Sequence, residues 1–273
     1  MGDAAENPDT PYAGSSVVAA LRMVTMVLCS VVTLPLQYLL SKTGHPLLYR
    51  GARMYHRMLL AILGIKVVVR GVPCRDKGIL YVANHVSYLD IPVIGSVLLG
   101  SFIAKDDVRD WPVFGAMSKL QRTEFIDRTR RSKAASQKEG MQARLESGDS
   151  LILFPEGTSS DGRTVLPFRS SLFAAAAGAK GVQPFTVAFR RLYGLPTGRI
   201  LAPLYAWYGD MGLMSHLWQV MSVGGLTIEL TFHPVMDAKI NRKILAEESH
   251  RQIASAISAN ALPVPPTVLA LAS

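Results

Sequence analysis

His85 and Asp90, in Asn84-His85-Val86-Ser87-Tyr88-Leu89-Asp90, are an imidazole and a carboxylate five residues apart, a pair suited to moving a proton near neutral pH. They follow the apolar run 79–83. A second acidic block, Phe154-Pro155-Glu156-Gly157-Thr158, follows another apolar run at 151–153. Two strands that each end in reactive polar residues describe an active site at one edge of a sheet. On a continuous helix, residues five apart lie about 140° around the axis and do not face each other. The pair can therefore meet only if His85 lies in the loop after its strand and Asp90 starts the next helix. Ser87 suits a cap for that helix and Pro92 fits its first turn. Asp90 would then hold one ring nitrogen and leave the other free as a base. Ser87-x-x-Asp90 equally matches a capping box with Asp in place of Glu, and the residues alone leave both roles open.

What accompanies the pair narrows the chemistry. The chain has no G-x-S-x-G, so the hydrolase nucleophile elbow is missing. Gly148-Asp149-Ser150-Leu151 has the letters of an esterase block, but it precedes a strand in mid-chain and no D-x-x-H completes it. A metal centre on His85, Asp90 and Glu156 would lack further ligands at a known spacing, so no metal is expected. A His-Asp pair without an enzyme nucleophile fits direct transfer. In that chemistry His85 deprotonates a substrate hydroxyl, which itself attacks an activated acyl group.

The elements that must hold these residues alternate. Strands are expected at 65–70, 79–83, 102–104, 151–154, 182–189, 200–208 and 226–232, with another ending at 125–128. Helices are expected at 91–99, 113–119, 132–147, 171–178 and 241–258. This rhythm predicts an α/β fold, a mostly parallel central sheet flanked by helices. Residues 1–15 are polar and acidic and read as a disordered N-terminus; 261–273 read as a flexible tail. Between them, 16–63 form a membrane-associated helical segment ahead of a catalytic domain at 64–260. Residues 23–40 alone supply 18 mostly apolar positions, enough to span a bilayer or to lie half-sunk in its interface. The acidic preface argues against a signal peptide. Lys42, Arg50, Arg53 and Arg57 favour a cytoplasmic C-terminal side, and 45–62 read as an amphipathic helix, either for a membrane surface or packed on the domain. Net charge is +9 and 49% of residues are hydrophobic, which points to acidic partners and a lipid surface. The basic residues form no single stripe and no nucleic-acid motif is present, so nucleic acid is not expected. Two cysteines, Cys29 and Cys74, give no disulfide framework and suit a reducing compartment.

His85-x4-Asp90, Phe125-Ile126-Asp127-Arg128, Phe154-Pro155-Glu156-Gly157-Thr158 and Val182-Gln183-Pro184-Phe185 resemble, in order, the four blocks of the glycerolipid acyltransferases. The similarity covers roughly residues 65–235 and is nearest the bacterial 1-acylglycerol-3-phosphate acyltransferases. It implies that His85 is the base and Asp90 its orienting partner. It also implies that Glu156, Gly157 and Thr158 shape the acceptor site and that Arg128 holds an anionic group. By itself Arg128 is a solvated charge among Arg130, Arg131 and Lys133.

Two departures bear on the acceptor. Phosphate-accepting relatives carry Arg where this chain has Ser159, and Phe-Lys-Lys-Gly where it has Phe168-Arg169-Ser170-Ser171. Each lost charge-assisted bond to phosphate costs on the order of 1.5–3 kcal/mol, leaving Arg128 and Arg169 to hold one. The runs at 159–162, 168–173 and 206–211 are similar to the subgroup that O-acylates lyso-ornithine lipid. There Asp161 would meet the ornithine ammonium, or merely make a turn with Gly162. The resemblance implies an inner-membrane enzyme facing the cytoplasm. It takes acyl-ACP or acyl-CoA as donor, with lysophosphatidate as the alternative acceptor and no prosthetic group. A lipid hydrolase and a non-catalytic membrane adaptor are the rival classes.

Overall fold

The structure, a computed structural model, describes residues 14–43, 47–110, 114–126 and 131–259. In chain order the elements are α1 (Ser16–Thr43), α2 (Leu47–Leu63), β1 (Ile65–Arg70), β2 (Ile79–Ala83), α3 (Asp90–Gly95), β3 (Ser101–Lys105), α4 (Phe114–Leu120), β4 (Glu124–Ile126), α5 (Arg131–Glu146), β5 (Leu151–Leu153), β6 (Gly181–Leu192), β7 (Leu195–Pro196), α6 (Leu213–Val223), β8 (Leu226–Phe232) and α7 (Arg242–Ala259). Tight 3-10 turns occupy Asp106–Asp110, Ser170–Gly178 and Ala202–Leu204. The expected disordered ends and Arg128 lie outside the described residues.

The sheet runs β1-β8-β6-β2-β5-β3-β4, with β7 folded back on β6. Pairing is parallel except at β6–β7 and β6–β8, which bears out the mostly parallel α/β expectation. β2 is buried at every position because parallel neighbours flank it on both sides. Its residues alternate between two cores. Ile79, Tyr81 and Ala83 join a cluster with Leu60, Val93, Ile94 and Met221; Leu80 and Val82 join one with Leu145, Phe173 and Leu245. Helices thus cover both faces: α1, α2, α3 and α6 on one, and α5, Ser170–Gly178 and α7 on the other.

Several elements differ from expectation. Residues 200–208 form a 3-10 turn and loop instead of a strand, because β6 and β8 pair directly and Pro203 lacks the N–H a ladder needs. Helix α6 was not expected. The helix expected at 91–99 stops at Gly95, where an added Cβ would lie 2.3 Å from the His56 ring of α2.

α1 has 28 residues, and its most apolar window has a mean hydropathy of 2.2. At 1.5 Å per residue it extends about 42 Å, yet it touches the domain along its length. Ser15 N–H donates to Ser222 O at 3.2 Å and the Arg22 guanidinium donates to Met221 O at 2.7 Å. Farther along, Ser30 bonds Tyr55 of α2 at 2.8 Å and Gln37 is buried. The opposite stripe, including Leu21, Val24, Leu28, Val32 and Leu36, is bare.

Candidate active site

β2 and β5 are parallel neighbours in register, Leu80 with Leu151 and Val82 with Leu153. The chain therefore leaves both strands at the same edge, and the His85 and Glu156 blocks emerge side by side. Asn84 fixes the exit: its side chain donates to Val187 O at 2.9 Å and accepts from Val187 N at 2.8 Å, extending β2 across to β6. His85 is held through its own backbone. Its N–H donates to Glu156 Oε1 at 2.7 Å, and its carbonyl accepts the Ser160 N–H at 2.9 Å.

The His85 ring stacks on Phe154, centroids 4.3 Å apart and planes 18° from parallel. Its Nδ1 lies 2.7 Å from Asp90 Oδ2, the carboxylate fully buried and the imidazole about one-fifth exposed. The same oxygen accepts N–H bonds from Val86 at 2.7 Å and Ser87 at 3.1 Å. An oxygen already accepting two backbone bonds takes the ring as a third donor. Nδ1 therefore carries the proton and Nε2 presents its lone pair, the tautomer a general base requires. Both roles left open for Asp90 meet on one atom: it orients the ring and reaches back to the Ser87 amide, the bond a capping-box carboxylate makes. Ser87 is not the helix cap, since its hydroxyl accepts from Leu89 N at 3.4 Å and the cap position, Leu89, makes no side-chain bond.

The residues expected on the acceptor side occupy different surroundings. Glu156 is 3% exposed and commits its second oxygen to the Leu166 N–H at 2.8 Å. Both oxygens thus accept from backbone, and the side chain holds the His85 amide. Burial pushes its carboxyl up to about 7, opposed by the two backbone bonds. Gly157 turns the chain with φ +78°, a conformation that favours glycine. Ser159 gives its hydroxyl to Trp207 O at 2.5 Å. Thr158 and Arg169 are exposed, and the Arg169 guanidinium makes no bond to a described residue. Ser170 lines a groove of about 400 Å³ with Phe168, Lys243 and His250 on α7. Asp161 accepts from Arg163 N at 3.0 Å, the turn role.

Several residues escaped sequence reasoning. Trp207 N–H donates to Val86 O at 3.0 Å, which brings the 206–211 run against the His85 loop. Tyr88 lies edge-on to Trp207 and bonds His216 Nδ1 at 3.0 Å. Burial lowers the His216 ring to about 4 and keeps it neutral. Gln183 of the fourth block bonds Cys74 N, Val72 O and His233 O and so braces the sheet. Only the repeated aromatic residues at 205–208 hinted at any of this.

A base oriented by a buried carboxylate stands at a sheet edge. Around it Ser87, Ser159 and Ser160 all turn their hydroxyls to backbone. None of these three serines is therefore set as a nucleophile beside the ring, an arrangement suited to direct transfer. A family model described as acyltransferase matches residues 65–190. The chain is 39% identical over 243 residues to the lyso-ornithine lipid O-acyltransferase of Brucella abortus (strain 2308), covering 85% of this chain and 91% of that protein. It is likewise 39% identical over 184 residues to the 1-acyl-sn-glycerol-3-phosphate acyltransferase of Neisseria meningitidis serogroup B, at 67% and 70% coverage. The crystal structure of the 1-acyl-sn-glycerophosphate (LPA) acyltransferase from Thermotoga maritima shares the fold, with TM-score 0.67 at 20% identity over 92% of this chain and 96% of that one. The chain belongs to the acyltransferase family, and it is an enzyme of that class.

Proposed function

We propose that this enzyme transfers a fatty acyl group from acyl-ACP or acyl-CoA to the free hydroxyl of lyso-ornithine lipid at the cytoplasmic face of the inner membrane. The observation that carries the reaction is His85, bound to Asp90 through Nδ1 with Nε2 left to the solvent side. Nε2 removes the proton of the lysolipid hydroxyl as its oxygen attacks the thioester carbonyl. The resulting oxyanion collapses, the C–S bond breaks, and the imidazolium returns its proton to the departing thiolate. Asp90 stabilises the imidazolium in between.

The acceptor rests on likeness to the Brucella abortus and Rhizobium meliloti (strain 1021) lyso-ornithine lipid O-acyltransferases, the latter 37% identical over 226 residues. The hydroxyls in place of cations at Ser159 and Ser170 favour the same acceptor. Lysophosphatidate is the second candidate, favoured by the Neisseria relative and by the exposed Arg169. The bare apolar stripe of α1 lies in the membrane interface while its other side stays on the domain.

The deciding assay gives purified protein labelled acyl-ACP with lyso-ornithine lipid, lysophosphatidate or no acceptor. Acylation of the ornithine lipid in preference supports the proposal. Preference for lysophosphatidate would reassign the enzyme to phosphatidate formation, and free fatty acid without acceptor would make it a hydrolase.

A further inference from the structure

Three guanidiniums converge on the far end of α3 from Asp90. Arg53 Nη2 donates to Val97 O at 3.1 Å, Arg57 Nε to Ser96 O at 3.3 Å, and Arg75 Nη1 to the same Val97 O at 3.3 Å. Arg53 and Arg57 belong to α2; Arg75 comes from the connection between β1 and β2. One cation suffices to satisfy carbonyls at a helix end. Three share two carbonyls through long bonds, while each carries five N–H donors. Among the described residues none of the three pairs with a carboxylate. Arg53 Nε is buried without a partner. Burial, then the charges of Arg75 and Arg57, push the Arg53 guanidinium down, so the neighbours repel it. Such a cluster is short of an anion.

Its place says which anion. α2, which carries Arg53 and Arg57, also packs against α1, the helix whose apolar stripe is bare. Arg57 and Arg75 are exposed. We propose that Arg53, Arg57 and Arg75 form a clasp for the phosphate of an anionic bilayer phospholipid, seating the enzyme on the membrane beside α1. The clasp rests on the membrane-surface reading of α1 and adds lipid selectivity to it. Because α3 is six residues long, about 9 Å of axis, a headgroup held there sets the height of the Asp90–His85 pair above the bilayer.

The experiment uses the full chain and vesicles of phosphatidylcholine alone or with phosphatidylglycerol at roughly one third. Wild type should bind the anionic vesicles more tightly, and R57Q/R75Q should lose about tenfold or more of that extra affinity. Binding to neutral vesicles reports α1 separately and should be the same for both proteins. Turnover of detergent-dispersed substrate should also be unchanged, which checks folding. The charge-keeping R57K/R75K should retain much of the preference, and salt should erase it in wild type. An equal anionic preference in R57Q/R75Q overturns the clasp. So does a raised KM for acyl-ACP with vesicle preference intact, which would make the cluster a carrier-protein dock. Loss of neutral-vesicle binding by wild type would instead refute the role given to α1.

Discussion

Asp90 Oδ2 takes three hydrogen bonds, from His85 Nδ1 and the Val86 and Ser87 amides, while Oδ1 is buried without a partner. Replacing His85 with Ala should lower turnover by about 10²–10⁴, with vesicle binding intact. D90N should lower it less, since an amide oxygen still accepts backbone bonds but no longer offsets the imidazolium. A wild-type rate in D90N would reduce Asp90 to a cap. For Glu156, Gln places an NH2 against the His85 or Leu166 N–H, costing about 1–3 kcal/mol in thermal unfolding and slowing turnover. The pH dependence has a definite sign. Its carboxyl is raised to about 7 from an ordinary 4.5, so the folded protein holds a proton the unfolded chain has lost between those values. That contribution is fully present below about 4.5 and falls away as pH rises to about 7. The stability gap between wild type and E156Q should therefore shift against wild type over that window; a constant gap would remove the raised carboxyl. Adding cations with S159R/S170K should improve lysophosphatidate use relative to ornithine lipid, although S159R also forfeits the bond to Trp207 O. No change in the ratio of kcat/KM for the two acceptors would detach these serines from selectivity.

At the scale of elements, α3 is the pivot. It starts at Asp90, ends at Gly95 and rests on α2 through the His56 ring. G95A would press a methyl to 2.3 Å from His56 Cδ2, so α2 and α3 must part. We expect a loss of about 1–3 kcal/mol from overpacking and a slower rate as Asp90 moves from the ring. Thermal unfolding and turnover read the two effects, and full activity would show that α3 shifts without disturbing the dyad. Gly162 plays a similar part in the loop after Thr158, with φ +73° and the Val86 side chain 2.9 Å from where a Cβ would stand.

Across the whole molecule, the bare apolar stripe of α1 and the His85 block belong to elements over one face of the sheet. α1, α2, α3 and α6 pack over the core that contains Tyr81, Phe154 and Phe185, and the His85 ring stacks outward on Phe154. Leu28 and Val32 stand 62% and 72% exposed on the bare stripe of α1. Each apolar side chain moved into lipid contributes about 1.5–3 kcal/mol. L28E/V32E should therefore abolish binding to neutral vesicles and spare turnover in detergent, as co-sedimentation and assay would show. Retained vesicle binding would place the membrane contact elsewhere.

His85 and Asp90 as a candidate pair, the strands that deliver them and the α/β class were legible in the sequence. Apolar runs ending in polar residues are local patterns, and the His85–Asp90 geometry follows from a loop entering a helix only five residues on. Which residues brace the His85 block appears only in the tertiary structure. Glu156 meets the His85 amide from 71 residues away, Asn84 meets Val187 from 103, and Trp207 takes the Ser159 hydroxyl from 48. Those partners depend on the order of strands in a parallel sheet, where neighbours are joined by long crossovers and hydrogen bonds form between segments that carry no local trace of one another. The same holds for α6 and for Arg75, which joins Arg53 and Arg57 only because α2 packs on α3.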